Sequence, residues 1–64
     1  MILKELKKGE YFTLKEVEFP NETQVWVKGS YDRSIKKFSC HRFSNVNDER
    51  FFKSNKKIFT DFIF

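Results

Sequence analysis

Cysteine, histidine and proline each occur once in these 64 residues, and glycine only twice. Each scarcity removes a class of function. Cys40 alone permits no internal disulfide and no cysteine-rich metal site, and a chain so poor in cysteine points by default to the reducing cytoplasm. Cys40 and His41 are neighbours, so on a strand they face opposite sides and cannot form a nucleophile–base couple. A metal needs three or four ligands, and Asp48, Glu49 and Asp61 show no spacing that would supply them to His41. Gly9 and Gly29 stand too far apart for a glycine-rich phosphate loop. After Glu22 the only carboxylates are Asp32, Asp48, Glu49 and Asp61, and a chain this short seldom encloses the cleft that paired-carboxylate chemistry requires. The expectation is a protein that is not an enzyme, with no catalytic residues, cofactor or metal. No apolar run approaches the roughly 20 residues of a membrane span, and Met1 to Lys8 lacks the apolar stretch of a signal peptide, so no membrane partner is expected. Asn21-Glu22-Thr23 matches a glycosylation sequon, which without a secretion signal reads as chance.

Aromatics and positive charge are what the chain has in quantity. Nine Phe, two Tyr and one Trp compensate for the small core available at this size, since each buried ring removes roughly 150–250 Å² from water. The net charge is +4, and it is unevenly placed. Residues 1–23 hold four cations against five carboxylates, whereas residues 24–64 hold nine against four. The downstream excess favours an acidic partner.

Local patterning is that of one small β domain spanning 1–64, with residues 1–8 free to be a mobile N-terminal segment. Lys8-Gly9-Glu10 suits a tight turn. Tyr11 to Val17 alternates as a first strand with Phe12 and Leu14 on one face, and Pro20 closes it, leaving Phe19 to Thr23 as a loop. Gln24 to Tyr31 is the clearest strand: Val25, Val27 and Tyr31 with Gly29 point one way and read as core, and Trp26, Lys28 and Ser30 point the other. Asp32-Arg33-Ser34 supplies turn chemistry, and the chain returns through Lys36 to Phe43. On that return Phe38 and Cys40 face the core and Lys37, Ser39 and His41 face away. Ser44 to Phe52, with an N-cap residue followed by Asp48 and Glu49, predicts one or two helical turns. Ser54 to Lys57 turns again, and Ile58 to Phe64 predicts a closing strand with Ile58, Phe62 and Phe64 inward and Phe59 and Ile63 outward. The fold expected is mainly β: a small SH3-like or OB-like barrel, or a curved antiparallel sheet of four to five strands, with one short helical turn near 45–52.

The strings Val25-Trp26-Val27-Lys28-Gly29, Tyr31-Asp32-Arg33-Ser34, Lys37-Phe38-Ser39-Cys40, Val46-Asn47 and Phe59-Thr60-Asp61-Phe62 resemble short proteins carried by bacterial phages and other mobile elements. The resemblance implies a binding or inhibitory protein more readily than an enzyme. It assigns no site residues.

Function follows from the hairpin's composition. Trp26, Lys28, Tyr31, Arg33, Lys36, Lys37, His41 and Arg42 interleave rings and cations, the combination that suits the bases and phosphates of a nucleic acid, single-stranded DNA or RNA above all. Against this stands a local reading, in which Trp26 and Tyr31 are framework, Asp32 bonds turn amides and the lysines are simply solvated. Arg50-Phe51-Phe52-Lys53 is a second basic-aromatic patch that reads first as core Phe flanked by cations. The alternative function is a module that binds a host or phage protein through an exposed sheet edge or through Phe59 and Ile63. A homodimer is the third reading.

Overall fold

Two runs of alternating apolar residues joined by an Asp-initiated turn form the centre of the sheet. The computed structural model describes all 64 residues and contains four antiparallel strands, β1 (Tyr11–Thr13), β2 (Val25–Asp32), β3 (Lys37–Arg42) and β4 (Asn45–Lys53), in the order β1-β2-β3-β4. The sheet is open, not closed into a barrel. Asp32 initiates the β2–β3 turn as expected: its Oδ1 accepts the Ser34 backbone N–H at 2.9 Å and the Ser34 hydroxyl at 2.6 Å. Lys36 closes that turn with φ +56°, and Gly9 turns the chain into β1 with φ +91°, a conformation that glycine adopts without steric cost.

The helical turn expected near 45–52 is instead β4. Its capping residues do bond locally, Asn45 Oδ1 accepting the Asn47 N–H at 3.0 Å, but they do so at the foot of a hairpin turned by Phe43 and Ser44. Pairing of Phe52 with Phe38 and of Phe51 with Ser39 outweighs the weak helix signal. The only helical turn is a 3₁₀ turn at Leu3–Glu5. Residues 1–8, which the sequence left free to move, are tied down: the N–H groups of Leu3 and Lys4 donate to Lys56 and Ser54 carbonyls at 2.9 Å, and that of Ile58 donates to Met1 at 2.9 Å. The segment 58–64 is not a strand. Its backbone pairs with β1 only through an isolated bridge, Phe59 to Thr13, with Ile58 buried, Phe62 half-buried and Phe64 exposed.

Register assigns each paired side chain to a face, because residues directly opposite in an antiparallel pair share one. Phe12 pairs Trp26 and Trp26 pairs Arg42; Lys28 pairs Cys40 and Cys40 pairs Arg50; Phe38 pairs both Tyr31 and Phe52. These residues form the inner face, which Leu3, Leu6 and Ile58 cover to complete the core. Phe52 packs edge-on to Phe12 and Trp26, with ring centroids at 6.2 and 5.6 Å. The sequence expectation for β2 is therefore overturned in part. Val25 is buried at 0% exposure as expected and Val27 is half-buried, but Trp26 and Lys28 on the opposite face also lie beneath a cover, at 3% and 5% exposure.

Candidate functional site

The eight hairpin residues singled out from the sequence do not share one surface. Trp26 is enclosed, and its indole lies 4.5 Å from the Arg42 guanidinium and 5.7 Å from that of Arg50. Arg42 Nε meets Asp48 at 2.7 Å, Arg50 Nε meets the other Asp48 oxygen at 3.7 Å, and Arg42 also donates to the Thr23 carbonyl. The Arg42 hydrogen bond holds the Asp48 carboxyl below its ordinary range. Arg42 is thus bound into the framework beside a cleft of about 280 Å³ whose floor is Trp26 and whose far wall is the 14–24 loop. Lys28 donates to the Leu6 carbonyl from above the Phe38 ring, 4.1 Å from its centroid. Burial lowers the Lys28 pKa, and the residue is buried.

Tyr31 stays on the inner face at its rim, exposed and edge-on to Phe38 at 4.9 Å. Arg33 and Lys36 project from the hairpin tip, both exposed. Lys37 and His41 are the two that the structure carries to the outer face, as the alternation of β3 requires. Of the alternative pair, Ile63 is exposed, whereas Phe59 is half-buried beside the Lys57 ammonium at 5.7 Å. Cys40 is enclosed in the core, and burial raises its thiol pKa.

The outer face carries a different constellation. Across it run Tyr11, Val27, His41 and Glu49 in one row, Ser39 and Phe51 in the next, and Asp32, Lys37 and Lys53 beyond them, with Gly29 close against the Ser39 carbonyl. Tyr11, Phe43 and Phe64 meet edge-to-face with centroids 4.8 to 6.0 Å apart. Tyr11 is 43% exposed, Phe43 39% and Phe51 43%. The Glu49 carboxylate is engaged by the Ser39 hydroxyl at 2.8 Å. The outer face thus carries an exposed ring cluster and a separate exposed ring, Phe51, with Lys37 and Lys53 paired beyond it. Sequence reasoning gave Lys37 and His41, put Phe51 and Lys53 in a separate basic-aromatic patch read first as core, and missed Tyr11. Alternation in 45–53, read as a strand, would have put Phe51 and Lys53 on the side of His41.

Comparison with family models, with curated proteins and with solved structures finds no match to this chain. The functional reading rests on geometry and chemistry.

Proposed function

We propose that this protein is a non-enzymatic module that binds single-stranded nucleic acid on the outer face of its sheet. The observation that carries the reading is the exposed rings Tyr11 and Phe43, in edge contact at 5.4 Å, and Phe51, on the face that also carries His41, Lys37 and Lys53. Rings on a sheet face offer stacking planes to bases, and cations on the same face attract the backbone. Arg33 and Lys36 at the hairpin tip extend the positive charge beyond Lys37. Large exposed aromatics clustered on one face also call for a reason that a scattered surface ring does not.

Titration of labelled single-stranded DNA and RNA oligonucleotides at low salt tests this. Phe51→Ala, at an exposed position, is expected to leave stability within about 0.5 kcal/mol while weakening binding by about 1–3 kcal/mol. The logarithm of the binding constant falls with the logarithm of salt by roughly 0.7 for each phosphate contacted on a single strand. Absence of binding at micromolar protein, or binding indifferent to Phe51→Ala, refutes the proposal.

One observation favours a second reading. The Ile63 N–H donates to the Glu18 carbonyl at 2.9 Å, bringing Ile63 beside the segment that carries Phe19, and both side chains are 67% exposed. An apolar patch of this kind suits a protein partner whose binding resists moderate salt. Ile63→Asp abolishes such a complex and leaves oligonucleotide binding intact.

A further inference from the structure

The two edges of the sheet are unlike. β1 is three residues long and is capped by the mutual hydrogen bonds of Thr13 and Phe59, at 2.9 and 3.0 Å. β4 is nine residues long, pairs only with β3, and makes no backbone–backbone hydrogen bond outside that ladder anywhere from 45 to 52. Natural proteins blunt such an edge with charge, proline or a bulge, because its free N–H and C=O groups template pairing with another chain. β4 has Asp48, Glu49, Arg50 and Lys53, and its register shifts at Val46–Asp48, between the pairs His41–Glu49 and Arg42–Asn45; along the regular stretch Glu49–Lys53 the order of the charges decides what the edge does.

Two copies joined antiparallel through β4 are related by an axis perpendicular to the sheet. The outer face of one then continues into the outer face of the other, so facing residues must lie on the same face. Only registers centred on a residue satisfy this. Centring on Asp48, Glu49 or Arg50 sets a charge against its own copy, which is repulsive. Centring on Phe52 brings no opposite charges together within the strand, and Asn47 lies in the register shift, where the ladder is irregular. Centring on Phe51 sets ring against ring and Glu49 against Lys53 of the second copy, twice by symmetry, with Arg50 against Phe52. Within one copy Lys53 lies directly across from Lys37 and forms no ion pair, so the carboxylate of a second copy relieves a like-charge pair.

We infer that the protein associates with a second copy of itself through β4, in the antiparallel register centred on Phe51. The sheet then runs unbroken across both copies, and the outer-face rings of each adjoin at the seam. The inference does not depend on nucleic-acid binding, and its test contains no oligonucleotide. Sedimentation equilibrium of the wild type, of Lys53→Glu and of the double exchange Glu49→Lys with Lys53→Glu, each checked for fold by circular dichroism, distinguishes the outcomes. The wild type is expected to dimerise. Lys53→Glu weakens the dimer by about tenfold or more, since two attractive pairs become repulsive. The double exchange recovers it by restoring opposite charges in the same register. A wild type that stays monomeric at the highest soluble concentration, a dimer indifferent to Lys53→Glu, or a double exchange that fails to recover association would each overturn the inference.

Discussion

Replacement of Gly29 by alanine places a methyl group against backbone, and the cost can be worked from the contact. A Cβ at Gly29 lies 2.3 Å from the Ser39 carbonyl oxygen and 3.2 Å from its carbonyl carbon. Ordinary carbon–oxygen contacts lie near 3.3–3.6 Å, so β2 and β3 must separate by roughly 1 Å at the irregularity between Lys28 and Tyr31. A ladder hydrogen bond lengthened that far is lost, at about 0.5–1.5 kcal/mol each, and overpacking adds about 1–3 kcal/mol. The reduced freedom of the unfolded chain returns about 0.4–1 kcal/mol. The net loss is about 2 kcal/mol, which lowers the melting temperature by about 8–16 °C in a domain of this size. Gly9→Ala is the comparison. Nothing lies within 4 Å of a Cβ there, and only the φ of +91° opposes the change, at a cost of about 1–2 kcal/mol. Thermal and urea unfolding followed by far-ultraviolet circular dichroism reads both. A Gly29→Ala variant that melts with the wild type refutes the close strand approach on which the hairpin description rests.

Three further predictions concern the core and its charges. Trp26 fluoresces at short wavelength and resists iodide quenching with or without oligonucleotide, and Trp26→Ala costs about 3–5 kcal/mol, comparable to the about 3–5 kcal/mol available to so small a fold; a folded Trp26→Ala variant contradicts the enclosed indole. Asp48, held below its ordinary value by the Arg42 hydrogen bond, stabilises the fold fully above about pH 3.9, and that contribution is lost as pH falls through its lower folded value. Urea midpoints measured down the acid limb therefore fall less steeply for Asp48→Asn than for the wild type, and equal slopes contradict the ion pair. Cys40, enclosed and with its thiol pKa raised by burial, reacts with an aromatic disulfide reagent only as fast as the protein unfolds; rapid labelling of the native protein contradicts its place in the core.

Local chemistry was legible in the sequence, and coverage was not. The turns at Gly9 and at Asp32-Arg33-Ser34, the β2–β3 hairpin, the inward Cys40 and the outward Lys37 and His41 all follow from residue type and period. Alternation in β2 separates Val25 and Val27 from Trp26 and Lys28, but a period of two does not show that both faces carry enclosed residues, Val25 on one and Trp26 and Lys28 on the other. The cover comes from Leu3, Leu6 and Ile58, distant in sequence from β2 and unreadable in its pattern. A lysine beside a tryptophan reads as a wet face; here its stem lies in the core and its ammonium is satisfied by the Leu6 carbonyl. The 44–52 segment misled for a different reason. Ser44, Asn45, Asp48 and Glu49 are good capping residues, yet they serve a hairpin turn, a carboxylate shared between Arg42 and Arg50, and a bond to Ser39. Read as helical, the segment also kept Phe51 and Lys53 in a patch separate from Lys37 and His41.

Chemical-shift mapping of the amide and aromatic resonances during titration with a single-stranded oligonucleotide at low salt tests the functional reading most directly. The expected perturbations gather at Tyr11, Lys37, His41, Phe43, Phe51 and Lys53, and the Trp26 indole stays unmoved. Spectra that do not change, or changes centred on the cleft between Trp26 and the 14–24 loop, would contradict the assignment of the outer face as the binding surface.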